Sequence, residues 1–366
     1  MKMHKVLFRS VIASPEGAKQ SPSHLGIASS QKTLLAMTTL LLLSACATAP
    51  TPQPTATAPK PTPSTPTRAP LTEVSVVMGY IPHVQFAPWY VAEKKGYFAA
   101  AGVKVKYNWG FEVDGMKLVG VSQADFAMLG GDQVIQARAQ EVPLVYVANY
   151  YNAFPISIFS LKEQNIQSPK DLVGKKVGLP AFWGATYTGW RALLYDAKIK
   201  EMDVQTQDIG FTQVAAITQG MVDAAAGYSN NEPVQLKLAG KEINVINVGD
   251  YSKLVGIGLV TNEKMIAERP QIVQGVVTAL RRGIQDTINN PNEAIDATLA
   301  FLPEAGGANL KTTQAVLNAT IDLWKSPHLG YVDSAAWAAS YKFMKDAAFI
   351  KTDFDVTRAY TDKFVP

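Results

Sequence analysis

The chain has 366 residues, with 34 Lys and Arg against 30 Asp and Glu, and its formal net charge of +4 is spread without a dense basic run. This length exceeds the usual single domain of roughly 100–200 residues, and the weak charge argues against nucleic acid as the main partner. A single cysteine, Cys46, excludes an internal disulfide framework and a Cys-rich metal cluster.

Residues 1–45 read as a lipoprotein signal peptide. Thr33 to Ala45, "TLLAMTTLLLLSA", is an apolar run too short to span a bilayer as a mature helix, with Lys32 before it and "LSAC" at its end. Small residues before a cysteine, after a short apolar core, make a lipobox, so Cys46 is the expected lipidation site. An ordinary buried helix with a chance cysteine is the other reading. Residues 46–72 weigh against it, because "ATAPTPQPTATAPKPTPSTPTRAPLT" is almost wholly Ala, Thr and Pro and reads as an extended tether. The expected location is the extracytoplasmic face of the cell membrane, held there by the lipid.

From Glu73 short apolar strands alternate with helical patterns. "EVSVVMGYI" reads as a strand, "FAPWYVAEKKGYFAAAG" as a helix, "VKVKYNWG" as a strand, "DGMKLVGVSQ" as a helix and "ADFAMLGG" as a strand. "DQVIQARAQ" opens a helix at Asp132, and "VPLVYVANYY" is a further strand. The pattern restarts with "SPKDLVGKKVGLP", the helix "ATYTGWRALLYDAKI", then "VQTQDIGF", "QVAAITQGMVDA" and "AAGYSN". The strands "INVINVG" and "VGIGLVTN" follow, and from Glu263 the chain reads as mostly helical down to "FDVTRAYTDKFV". This alternation predicts parallel sheets with helices on both faces, in two α/β lobes.

Ligands of open α/β sheets sit beyond the carboxyl ends of the strands. Five strand ends carry polar or aromatic residues: "GYIPHVQF", "GGDQ", "NYYN", "AFWGATYT" and "GYSNNEP". Tyr80 and Phe86 fall among Pro82, His83 and Gln85, without the spacing of core residues, whereas Trp89 and Tyr90 read as helix core. His83 is not expected to hold a metal, since His328 is the only other histidine of the folded part. Asp132 and Gln133 sit at a helix N-terminus suited to acceptors or anions, or form a plain cap after a Gly turn. Trp183 offers a flat stacking face, with Thr186 and Tyr187 as hydroxyl donors. Tyr228, Asn230, Asn231 and Glu232 place amides where they can read a planar edge, or else form a hinge-side turn.

Four stretches, "GYIPHVQFAPWYVAEKKGYFAAAGVKV", "ADFAMLGGDQVIQARAQEVPLVYVA", "SPKDLVGKKVGLP" and "AAITQGMVDAAAGYSNNEPVQL", resemble the solute-binding lipoproteins of ABC importers. The resemblance is to the family of thiamine-precursor, nitrate, sulfonate and riboflavin binders and pyrimidine synthases. It covers Glu73 to Phe364 and implies a type II periplasmic-binding fold. Lobe 1 would comprise residues 73–157 and 259–366, and lobe 2 residues 158–258, with crossings near Tyr151–Ser160 and Gly256–Thr261. The lobes would close on the ligand as a monomer, which then docks on a membrane permease.

Aromatics and amides with few cations suit a flat heteroaromatic vitamin better than nitrate or sulfonate. Within the family, the opening loop and "NNEP" resemble the riboflavin-binding branch. The thiamine-pyrimidine branch places Trp where Tyr80 and Asn231 stand, which makes a pyrimidine precursor the alternative. On this reading Tyr80, Phe86, Trp183 and Tyr187 sandwich the rings and Asn230, Asn231 and Gln85 meet the dione edge. Asp132, Thr186 and Asn152 then meet the ribityl hydroxyls. No cofactor is expected and no enzyme activity, because the synthases carry a Cys-rich motif that this chain lacks. A purely structural protein would have no reason to cluster such residues at strand ends.

Overall fold

A computed structural model describes residues 70–365; the signal, Cys46 and nearly all of the tether lie outside them. The first lobe opens with β1 (Thr72–Val77), α1 (Ala87–Lys94), α2 (Tyr97–Ala100), β2 (Val103–Asn108) and α3 (Glu112–Gly120). It continues through β3 (Phe126–Gly130), α4 (Gly131–Ala139) and β4 (Leu144–Asn149). The second lobe comprises β5 (Ile156–Leu161), β6 (Lys176–Leu179), α5 (Gly184–Ala197) and β7 (Gln205–Asp208). Its remainder is α6 (Gln213–Thr218), β8 (Ala224–Tyr228), α7 (Glu232–Leu238) and β9 (Ile243–Asn247). The chain then returns to the first lobe as β10 (Ile257–Asn262) and α8 (Glu263–Glu268). Four longer helices close it: α9 (Pro270–Asn289), α10 (Pro291–Phe301), α11 (Leu310–Trp324) and α12 (Ser334–Asp346).

Each lobe holds a five-stranded sheet, ordered β2-β1-β3-β10-β4 and β7-β6-β8-β5-β9. The sheets are mixed rather than all-parallel. β10 runs antiparallel to β3 and β4, and β5 antiparallel to β8 and β9. These are the two strands that arrive from the other lobe, and each enters its new sheet against the local strand direction. The passages lie between Asn149 and Ile156 and between Asn247 and Ile257. Half of the first segment expected as a crossing and most of the second are therefore strand inside a sheet, and Phe159 and Leu259 are almost fully buried. The C-terminal stretch differs too. "FDVTRAYTDKFV" makes a short turn at Val356–Ala359 and then runs extended, pairing Tyr360 with Tyr146 on the open edge of β4. The Thr361 N–H donates to the Tyr146 carbonyl at 2.9 Å, a backbone partner that a helix would have left unused.

Two-sided burial follows from the strand period. Val76 and Met128 face one layer, with Trp89 and Val276; Val77 and Leu129 face the other, with Val134 and Trp337. In α9, Ile272, Val273, Val276, Val277, Leu280, Gly283 and Ile284 form one buried stripe at helical spacing. That stripe lies against α1 and so fixes the helix that follows the Tyr80–Phe86 loop.

Candidate ligand-binding cleft

The loop after β1 turns sharply because Gly79 adopts φ +75°, and a Cβ there would meet the Met128 carbonyl at 2.8 Å. This close passage brings Tyr80, Gln85 and Phe86 over the end of β3. Opposite them, the second lobe presents Trp183 and Thr186 at the start of α5, and Tyr228, Asn231 and Glu232 between β8 and α7. All eight line one cleft between the lobes, which encloses about 910 Å³ of space, its open mouth included.

Six of the expected residues do not line this cleft. His83 stands behind Tyr80, with ring centroids 6.0 Å apart, and its Nδ1 caps the turn at Val84–Phe86. Burial pushes its pKa down to about 4, so it is neutral. Asp132 accepts a 2.6 Å hydrogen bond from the Thr188 hydroxyl of α5, tying the lobes together instead of facing a ligand. Gln133 donates through Nε2 to Glu112 Oε2, positioning that carboxylate. Asn230 donates to Thr320 Oγ1 of α11 at 2.8 Å and so ties the lobes. Asn152 is exposed and borders a different depression, beside the passages between the sheets. Tyr187 points away from the cleft, with its ring against Phe349 and its hydroxyl bonded to Arg191 and Glu201.

Tyr150 and Tyr151 of the "NYYN" strand end also line the cleft, as do Phe111, Glu112, Phe211 and Gln213, which were not singled out in the sequence. Phe111 and Phe211 each follow a strand, in "VKVKYNWGF" and "VQTQDIGF", so the strand-end rule that found Tyr80 applies equally to them. At the mouth, Phe111 of the first lobe meets Trp183 edge-on at 5.3 Å and lies nearly parallel to Phe211 at 6.1 Å. Tyr80 meets Phe211 edge-on at 5.8 Å. The lobes therefore touch through aromatic rings, each in an attractive geometry.

Glu112 and Glu232 face the cleft from opposite lobes, and Tyr228 links them. Its N–H donates to Glu232 Oε2 at 2.9 Å, and its hydroxyl to Glu112 Oε1 at 3.4 Å. Asn231 Nδ2 adds a 3.1 Å bond to Glu232 Oε1. Burial, followed by the nearby Asp132, raises the Glu112 pKa to about 8; burial raises that of Glu232 to about 7. Burial, then Glu232, raises the Tyr80 phenol to about 12.

These shifts have a consequence for stability. Both carboxyls hold a proton more firmly folded than unfolded, so between pH 4.5 and about 8 the native state carries the extra protons. Stability without ligand is then expected to fall as pH rises through that window. The melting temperature should drop from pH 5 to pH 8 in the native sequence and drop less in Glu112→Gln. Identical profiles would show that Glu112 carries no such penalty.

The family model described as NMT1/THI5 like matches residues 83–294, more than half of the chain. The chain belongs to this family. Within it, the riboflavin-binding protein RibY of Chloroflexus aurantiacus is 38% identical over 335 residues, covering 89% of this chain and 95% of that protein. The formylaminopyrimidine-binding protein of Halalkalibacterium halodurans is 28% identical, covering 73% of this chain and 83% of that protein. Among solved structures, the alkanesulfonate-binding protein SsuA of Xanthomonas axonopodis pv. citri, bound to MOPS, superposes with a TM-score of 0.64 at 14% identity. That match covers 80% of this chain and 99% of SsuA and shows the shared fold. The two lobes of the NMT1/THI5-like chain are thus those of the periplasmic-binding proteins.

Proposed function

We propose that this NMT1/THI5-like protein is the binding component of an ABC importer and that its ligand is riboflavin. The observation that carries the reading is the cleft itself, walled by flat rings from both lobes, with Thr186 and Asn231 as polar contacts. The isoalloxazine system is a long planar surface with a polar edge, and closing the lobes on it would bury both faces. The likeness to RibY across nearly the whole chain supports the same ligand. The relatives named above are binding proteins, and the chain has no cysteine after Cys46, so we read it as a carrier and not an enzyme. The importer role implies a membrane permease as its partner.

Titration of riboflavin with the full chain purified in detergent tests this directly, because stacking on Trp or Tyr quenches flavin fluorescence. Saturable quenching and a raised melting temperature are expected, and Trp183→Ala should weaken binding about tenfold through loss of one aromatic wall. Unchanged flavin fluorescence, with a melting temperature raised by a pyrimidine precursor instead, would transfer the same transport role to that ligand.

We also propose that Cys46, which lies outside the described residues, is lipidated and holds the protein on the extracytoplasmic face of the membrane. Cys46→Ser should leave the signal uncleaved or release the protein, with riboflavin binding intact. Normal processing and membrane retention of that variant would refute the anchor.

A further inference from the structure

We propose that the cleft selects the uncharged ligand and rejects its phosphate ester, so that a phosphomonoester must be hydrolysed outside the cell before capture. This rests on the riboflavin reading above and adds to it the charge of the form that is bound. Among the described residues that face the cleft there is no Lys or Arg, and the two carboxylic acids there, Glu112 and Glu232, lie one on each lobe. Every donor seen on those carboxyls is neutral: Gln133, the Gly130 N–H and Tyr228 on Glu112, and Tyr228 and Asn231 on Glu232. Behind Glu112 stands a third acid, Asp132, and behind Tyr80 the nearest imidazole, His83, is neutral.

A phosphate monoester carries a charge between −1.5 and −2 at pH 7, and burying it without a cation is unfavourable. Here it would also meet carboxyls from both walls. One feature pulls the other way. Three helix N-termini open on the cleft, and such ends favour anions. Those of α3 and α7 already carry Glu112 and Glu232, while that of α5, at Gly184–Thr186, has no acid in its first turn. Water reaches that end at Trp183, which is 45% exposed, while Ala185 and Thr186 are buried. As pH rises to 8, Glu232 and then Glu112 ionise, and these enclosed charges, with no cation among the described lining residues, outweigh the one acid-free helix end. The supplying reaction follows from the chemistry: water cleaves the P–O bond of the ester, giving the free alcohol and inorganic phosphate, and the alcohol is what the cleft takes.

The test compares riboflavin with its 5′-phosphate on the full chain, by quenching and by melting temperature, at pH 8 and pH 5.5. At pH 8 the ester should bind at least about 30-fold more weakly, a difference of about 2 kcal/mol. The gap should shrink several-fold at pH 5.5, where Glu112, Glu232 and the phosphate all gain protons. It should shrink likewise in the Glu112→Gln, Glu232→Gln double variant at pH 8. A steric block would respond to neither change, and the pH arm decides the matter if the double variant fails to fold. Equal affinities at pH 8, or a gap unmoved by both changes, would overturn the inference while leaving riboflavin as the ligand. If riboflavin does not bind, the ligand reading fails. The charge inference is then judged on 4-amino-5-hydroxymethyl-2-methylpyrimidine and its phosphate. It stands if only the free alcohol binds, and falls if the phosphate binds comparably or neither does.

Discussion

Gly283→Ala is expected to lower the melting temperature by about 5 °C, a loss of about 2 kcal/mol in a domain of this size. Gly283 lies in the buried stripe of α9, where it faces α1. A Cβ there would sit 2.1 Å from the Pro88 carbonyl oxygen and 3.1 Å from the Ala92 Cβ. The first of these is backbone in the opening turn of a helix and cannot rotate aside, so the two helices must part by roughly 1 Å. Alanine gains about 1 kcal/mol in helix propensity over glycine, which offsets only part of the overlap. The parted helix matters for binding too, because α1 begins directly after Gln85 and Phe86 of the cleft. Riboflavin affinity should fall with stability, even though Gly283 touches no ligand. Gly275→Ala, on the same helix, meets the Ala101 Cβ at 2.9 Å and serves as the comparison. Its effect should be smaller, since the overlap is milder and Ala101, at the end of the four-residue α2, can shift with its backbone. Equal losses in the two variants would show that helix spacing at Pro88 is not the cause.

Phe111→Ala should weaken riboflavin binding about 30-fold while changing the melting temperature of the free protein little. The ring of Phe111 contacts both Trp183 and Phe211 of the second lobe, and each such contact is worth about 0.5–1.5 kcal/mol. These contacts exist only when the lobes are together. Their loss raises the free energy of the closed state alone, and ligand that needs the closed state binds correspondingly more weakly. Small-angle scattering should show less compaction at a given ligand concentration, recovered at saturation. Phe111→Leu keeps apolar area without the ring geometry and should fall between the two. Full affinity in Phe111→Ala would mean that the mouth contacts contribute nothing to closure.

Much of the cleft was legible at the level of residue types. Tyr80, Gln85, Phe86, Trp183, Thr186, Tyr228, Asn231 and Glu232 stand out because rings and amides interrupt strand-to-helix junctions that ordinary turn chemistry would fill with Gly, Asn and Ser. Trp89 and Tyr90 were equally readable as core, and both are buried. The alternation of strands and helices determined the two α/β lobes, since a strand period of two and a helix period near three and a half say which elements need covering. What such periods cannot express is which lobe faces which residue. Asp132, Asn230 and Tyr187 carry the chemistry of ligand contacts. The meeting of α4 with α5 gives Asp132 to Thr188, the approach of α11 gives Asn230 to Thr320, and Tyr187 goes to the Phe349 side of α5. Phe111 and Phe211 follow strands and were within reach of the strand-end rule, but only the packing of the lobes places them, with Glu112, opposite partners. The antiparallel entry of β5 and β10 has the same origin. The sequence alone determined that strand ends would hold a ligand; which of those ends meet was decided by long-range packing, in which contacts form between residues a hundred positions apart.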